Sequence, residues 1–146
     1  VIVPVTKENE DAWAELCVAL WPENTVEDIF RERSGGRLLQ NEFLYMDGGE
    51  AVAFLSLSLR RDYVEGTDSS PVGYLEGIYV KPGTRGKGVG RELTEFAKAW
   101  SRERGCSEFA SDCELHNEAS RAFHEKIGFR EENRIICFVM DLTGGA

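Results

Sequence analysis

At 146 residues, 42% of them hydrophobic, the chain has material for one domain with an ordinary core, and a single domain over 1–146 is expected. Twenty-six acidic against seventeen basic residues leave a net charge of −9, a balance that disfavours nucleic acid and would help to attract a cation. No apolar run approaches the ~20 residues of a membrane helix, and Val1 to Val5 is too short, and too soon followed by Lys7, Glu8, Glu10 and Asp11, for a signal peptide; a soluble, cytoplasmic protein is expected.

Val1 to Val5 reads as a short strand. Thr6 opens a helix whose apolar residues Trp13, Leu16, Cys17 and Leu20 fall at helical spacing, and Pro22 breaks it. Thr25 followed by Asp28 marks a second helix start, running through Ile29 and Phe30 until Gly35-Gly36. Leu38 to Met46 and Glu50 to Leu59 are two strands joined by Asp47-Gly48-Gly49, a hairpin signal. In the second of them Leu55, Leu57 and Leu59 alternate with Ser56 and Ser58, as a half-buried strand requires. Arg60 to Pro71 is long for a hairpin connection and is read as a functional loop. Tyr74 to Val80 is the next strand. Gly88 to Arg104 is the clearest helix, with Val89, Leu93, Phe96, Ala97 and Trp100 on one face and Gly105 at its end. Glu108 to Cys113 reads as a strand, Asn117 to Ile127 as a helix ended by Gly128, and Arg134 to Leu142, centred on Ile135, Ile136, Phe138 and Val139, as a closing strand. This order implies a mixed α/β sheet, antiparallel early, with a parallel crossover around the Gly88 helix.

Cys17, Cys106, Cys113 and Cys137 form no CxxC pair, and His116 and His124 are the two histidines. Tetrahedral zinc needs four ligands, usually in close pairs. The cysteines are therefore read as reduced core residues, and no metal is expected.

The chemistry begins at Arg85-Gly86-Lys87-Gly88-Val89-Gly90, between a strand and the best helix. The first N–H groups of a helix lack intrahelical partners and sit at the positive end of its dipole. Glycines there let the main chain approach a diphosphate that a Cβ would obstruct, and Arg85, Lys87 and Arg91 add positive charge to an acidic protein. A P-loop would need GxxxxGKS/T, which is missing. For a dinucleotide fold Glu108 stands near the expected acidic position, but 146 residues leave no room for two halves and a substrate domain.

The segment resembles the Arg/Gln-x-x-Gly-x-Gly/Ala motif of the Gcn5-related N-acetyltransferase superfamily, which implies that Arg85, Gly86, Lys87, Gly88, Val89, Gly90 and Arg91 bind the pyrophosphate of acetyl-CoA. Gly73 to Val80 resembles that superfamily's fourth strand, whose edge at Ile78, Tyr79 and Val80 would hold the pantetheine arm. Asn117 to Phe129 resembles its Asn-x-x-Ala/Ser…Gly-Phe helix and turn, implying that Asn117 bonds the cofactor arm, with Ser120, Phe123 and His124 beside it. The implied fold is that of the acyl-CoA N-acyltransferases. The superfamily commonly has tyrosine where this chain has His124. A histidine, with its reference pKa of about 6.5, suits proton transfer to the departing thiolate; equally, a thiol with a pKa near ~8.5 leaves without a dedicated acid, and His124 then packs on the cofactor or the helix surface.

Tyr63-Val64-Glu65-Gly66-Thr67, Ser70 to Val80, and Glu108-Phe109-Ala110-Ser111-Asp112 further resemble the aminoglycoside 6'-N-acetyltransferases. That resemblance implies that Glu76 and Asp112 face the acceptor amine, that Trp21, Tyr63 and Glu65 contribute to the sugar pocket, and that the partner is a polycationic aminoglycoside with the protein a homodimer. The residues make sense independently. Glu76 lies inside an apolar strand, where a carboxylate is costly unless paired or facing a cleft. Asp112 lies near the end of the strand after the cofactor helix, where such sheets present ligand sites. An internal salt bridge for Glu76 and a turn or capping role for Asp112 are the competing structural readings. The expected mechanism is direct transfer in a ternary complex, with Glu76 or Asp112 taking the amine's proton and a backbone N–H of Ile78 to Val80 stabilising the oxyanion. A polyamine or protein amine is the rival acceptor. An acyl-CoA-binding sensor without turnover is the rival class.

Overall fold

The computed structural model describes residues 1–33 and 41–144. They fall into two compact units, Val1–Asp112 and Cys113–Ala146.

The first unit runs β1 (Ile2–Pro4), α1 (Glu10–Leu20), α2 (Val26–Arg33), β2 (Glu42–Asp47), β3 (Glu50–Arg60), β4 (Val72–Val80), α3 (Val89–Glu103) and β5 (Phe109–Ala110). The strands lie in the order β1-β2-β3-β4-β5. Pairings are antiparallel as far as β4, and β4 and β5 are parallel, with α3 as the crossover between them. The mixed sheet expected from the order of elements is therefore present. The hairpin turn works because Gly48 and Gly49 both take positive φ, +58° and +84°, which a two-residue turn matching the strand twist demands.

Local starts and stops differ in places from the sequence reading. α1 begins at Glu10 because Asn9 ties up the preceding turn, accepting the Thr6 N–H at 2.7 Å and donating to the Pro4 carbonyl at 3.2 Å. Thr25 and Asp28 cap α2 reciprocally, each side chain accepting the other's backbone N–H. The expected stop at Gly35-Gly36 and the strand residues 38–40 lie outside the described residues. The expected strand Glu108 to Cys113 shrinks to Phe109–Ala110, since only those two residues pair, with Gly73 and Tyr74.

Adjacent strand residues serve opposite faces of the sheet. Leu44 packs with Trp13, Ala14, Leu16 and Cys17 of α1, together with Ile29 and Phe54. Its neighbour Phe43 meets Phe96 of α3 with ring centroids 4.8 Å apart. Thus α1 covers one face and α3 the other. Buried on the α1 face is a carboxylate, Glu42, accepting from Trp13 Nε1 at 3.0 Å and Ser56 Oγ at 2.5 Å.

The strand register breaks once in the centre of β4. Ser56 faces Gly77 while Leu57 faces Leu75, so Glu76 is an extra, unpaired residue. The bulge switches the alternation. A Cβ on Gly73 would strike Ser101 of α3, yet a Cβ on Gly77, four residues later, would strike Trp21 at the end of α1. A regular strand would send both to the same side.

In the second unit α4 (Glu118–Lys126) starts at Asn117, whose side chain accepts the Ser120 N–H at 3.0 Å. The expected strand Arg134–Leu142 does not form. Its alternating apolar residues supply propensity, but a strand exists only through its ladder, and this segment has no ladder partner among the described residues. Ile135, Ile136, Phe138, Val139, Met140 and Leu142 are 61–99% exposed. Of the four cysteines read as core residues, Cys17 and Cys106 are buried; Cys113 and Cys137 are exposed, because the segments carrying them do not pack into a core.

Candidate active site

The bulge at Glu76 sets the site. On the α1 face of the sheet, Ser58 Oγ donates to Glu76 Oε2 at 2.5 Å, and Arg60 Nη2 donates to both carboxylate oxygens at 2.9 and 3.2 Å. The Arg60 guanidinium stacks 3.5 Å above the Tyr74 ring. Tyr74 O–H then donates to Asp112 Oδ2 at 2.5 Å. Glu76 and Asp112, chosen separately from sequence, are thus joined through two intervening side chains. Burial is the main cause pushing the Tyr74 phenol well above its ordinary value; the Asp112 hydrogen bond and charge add to it, and Arg60 partly opposes it. Tyr74 therefore remains a donor to Asp112 wherever the protein is folded near neutrality.

Of the other residues expected around an acceptor, Trp21 is brought to the cluster. It ends α1 with its ring 5.7 Å from Phe54 and against the Cβ-less face of Gly77, the neighbour of Glu76. Tyr63 and Glu65 sit on the loop after β3, and Tyr63 is 74% exposed. Between them Val64 is buried with Val72 and Tyr74 and anchors the loop. The loop is also pinned to Glu108, which accepts from the Asp68 N–H at 2.9 Å and from the Ser69 hydroxyl. Glu108 is a loop anchor, a role its sequence position did not suggest.

β5 lies beside β4 only at Gly73 and Tyr74. Past that point Ser111 Oγ donates to the Leu75 carbonyl at 3.0 Å and Arg85 Nε to the Val80 carbonyl at 2.8 Å. Between these ties the main chain of Ile78 and Tyr79 has no strand on that side among the described residues, so the edge expected to meet a pantetheine arm is open.

The turn into α3 has the geometry of an anion cradle. Gly86 and Gly88 take φ of +82° and +85°, values a residue with a Cβ rarely adopts, and the space where each Cβ would stand is clear for 4 Å. The first intrahelical bond is Glu92 N–H to the Gly88 carbonyl, so the N–H groups of Val89, Gly90 and Arg91 precede the helical ladder. Lys87 and Arg91 are exposed beside them. These donors and charges fit a diphosphate. Among the described residues no three His, Cys, Asp or Glu side chains converge as a metal site requires.

In the second unit, Asn117 caps α4 and Ser120, Phe123 and His124 lie on it. His124 Nδ1 is 2.7 Å from the Ser120 carbonyl, an acceptor, so Nδ1 carries the hydrogen. Neutral His124 is then an acceptor at Nε2 and delivers a proton from there only as imidazolium.

The sequence reading missed Ser58, Arg60, Tyr74 and Ser111. A signal for the first two existed: Ser58 and Arg60 are two apart on a strand, hence on one face, opposite a strand carrying a lone carboxylate. Alternation from Tyr74 already puts Glu76 on that face; what the sequence did not show is the bulge that turns Gly77, and with it Trp21, to the same side.

Three comparisons bear on this arrangement. The acetyltransferase (GNAT) family profile matches residues 6–129. An aminoglycoside N(6')-acetyltransferase type 1 from Stenotrophomonas maltophilia is 40% identical over 144 residues, covering 97% of this chain and 93% of that protein. The apo crystal structure of the aminoglycoside antibiotic 6'-N-acetyltransferase AAC(6')-IG from Acinetobacter haemolyticus superposes with a TM-score of 0.92 at 35% identity, covering 97% of this chain and 99% of that one. A structure of AAC(6')-Iy in complex with the bisubstrate analogue CoA-S-monomethyl-acetylneamine superposes with a TM-score of 0.86 at 36% identity, covering 97% of both chains.

Proposed function

The chain belongs to the acetyltransferase (GNAT) family, and we propose that it transfers the acetyl group of acetyl-CoA to the 6'-amine of aminoglycosides. The observation that carries this reading is the chain Glu76–Arg60–Tyr74–Asp112 beside Trp21: two carboxylates and an aromatic face on one side of the sheet. Carboxylates bind the ammonium groups of a polycation, and an aromatic ring packs on the apolar face of a sugar. The relatives that carry the 6'-N-acetyltransferase name cover nearly the whole chain.

Acetyl-CoA supplies an activated thioester, and the Gly86–Arg91 turn is suited to its diphosphate. Glu76 and Asp112 orient the acceptor, and one of them takes the ammonium proton, directly or through a water. The amine nitrogen then attacks the thioester carbon, the C–N bond forms, and as the C–S bond breaks CoA leaves as its thiolate and takes up the proton the nitrogen sheds. An N–H of the Ile78–Val80 edge stabilises the intervening oxyanion. Holding both substrates in one cleft supplies much of the acceleration. No cysteine lies at a position of the motifs, so no acyl-enzyme is invoked.

The test is thiol release from acetyl-CoA with kanamycin, a 6'-hydroxyl aminoglycoside, spermidine and a lysine peptide. Turnover confined to 6'-amino compounds supports the reading. Equal turnover of the 6'-hydroxyl analogue refutes the regiochemistry, and binding of CoA with no turnover on any amine would make the protein a sensor. A homodimer is part of the same proposal, supported by the row of exposed apolar side chains from Ile135 to Leu142. Light scattering on purified protein tests it, with Phe138→Glu expected to shift the mass to that of one chain.

A further inference from the structure

The proposed site carries two opposed demands. Carboxylates that bind a polycation also stabilise its ammonium, and the ammonium must lose a proton before it can attack. The structure already places a cation between them. Arg60 reaches both oxygens of Glu76 and lies flat on Tyr74, whose hydroxyl is committed to Asp112. The groups facing Glu76 are Ser58 and Arg60 from β3 and Tyr74 on its own strand, with Asp112 after β5 reached through Tyr74. The pair stands at the lip of the face: the Arg60 side chain is 43% exposed and that of Glu76 27%. It is solvated enough to rearrange, and close enough to act on whatever Glu76 holds.

Resting on the aminoglycoside reading above, we propose that Arg60 is the resident counter-ion of the acceptor site, a positioning residue that weakens binding of the acceptor's ammonium and thereby eases its deprotonation. Without Arg60 the carboxylates hold the cation more tightly and keep it protonated. With Arg60, part of their field is cancelled and the amine yields its proton nearer neutrality. The same contact orients Glu76: one guanidinium nitrogen bonds both of its oxygens, and Ser58 bonds Oε2. An ion pair that served folding alone would have none of these kinetic consequences.

The experiment compares wild type, Arg60→Gln and Arg60→Lys. Steady-state kinetics against kanamycin are run across pH, and kanamycin binding is followed by calorimetry in the presence of CoA. For Arg60→Gln the expected results are a KM and a calorimetric Kd for kanamycin lowered about two- to fivefold, the range of a partly exposed charge pair. Its kcat is lower at neutral pH, and the acid limb of the kcat profile moves to higher pH. The sign follows because removing a neighbouring cation favours the protonated form of the bound amine. Arg60→Lys keeps the charge and returns the limb toward its wild-type position. The KM for acetyl-CoA stays unchanged in both variants, which separates the effect from unfolding. An unchanged or raised kanamycin KM in Arg60→Gln with an unmoved limb overturns the inference and leaves Arg60 a structural partner of Glu76. Failure of the wild type to acetylate any 6'-amine is a different result, removing the functional reading and this inference with it.

Discussion

Gly77→Ala tests whether the bulge at Glu76 turns the proposed acceptor face toward α1. An ideal Cβ at Gly77 stands 2.7 Å from Cζ2 and Cη2 of Trp21 and 3.3 Å from Leu20 Cδ2. Two ring carbons lie nearly an ångström inside contact distance, so the indole must move. Trp21 is only half-buried and ends its helix, so it can swing outward, losing part of its contact with Phe54. Overpacking of this kind costs about 1–2 kcal/mol, which lowers Tm by roughly 3–8 °C in a chain of this size. The displaced ring also raises the KM for the acceptor while leaving that for acetyl-CoA alone, because the Gly86–Arg91 turn is untouched. The decisive measurement is a double-mutant cycle with Trp21→Ala, read by urea unfolding. Once the indole is gone the new methyl has room, so Gly77→Ala is nearly neutral in that background, and the interaction energy equals the single-mutant cost of about 1–2 kcal/mol. Strictly additive effects would mean that Gly77 and Trp21 do not meet, and the face assignment built on the bulge would be wrong.

Other expectations follow from single contacts. Tyr74→Phe removes the donor to Asp112, a hydrogen bond to a charged group, and lowers kcat/KM for the acceptor about tenfold with little change for acetyl-CoA. The Tyr74 phenol is held above its ordinary range mainly by burial, so it contributes stability below the unfolded tyrosine value of about 10 that is lost as pH rises beyond it. Tyrosinate absorbance of wild type minus Tyr74→Phe should show this group ionising only at higher pH than a free tyrosine or together with unfolding. Gly88→Ala places a Cβ in a left-handed residue at the mouth of α3, costs about 1–2 kcal/mol and raises the KM for acetyl-CoA selectively. Glu42→Ala leaves Trp13 Nε1 and Ser56 Oγ without their buried acceptor and lowers stability by about 2–4 kcal/mol in urea titration.

Local chemistry was readable because it is encoded by neighbours in sequence. The reciprocal cap of Thr25 and Asp28, the glycine hairpin at Gly48-Gly49 and the apolar face of α3 each depend on residues within a few positions of one another. What escaped was whatever depends on a distant partner. The apolar run from Arg134 to Leu142 has strand propensity but no ladder, and propensity without pairing does not make a strand. Glu108, set aside in the sequence as a dinucleotide-binding acid, is the post to which the loop at Asp68 and Ser69 is tied. Arg60 looked like the first residue of a polar loop and is the cation of the site.

The same distinction explains why Glu76 stands out in the sequence and its setting does not. A lone carboxylate within Tyr74-Leu75-Glu76-Gly77-Ile78 is conspicuous in any register, because burying it costs free energy. The direction of the residue after it is another matter. Strict alternation puts Gly73 and Gly77 on one side of the sheet, whereas they face α3 and α1 respectively. One extra residue is the whole difference, and that residue is Glu76 itself. Alternation from Tyr74 puts its carboxylate on the face of Ser58 and Arg60, and its position outside the ladder lets the next residue, Gly77, open space for Trp21 on that same face. The carboxylate and the aromatic wall are thus brought together by a backbone irregularity that no side-chain pattern records.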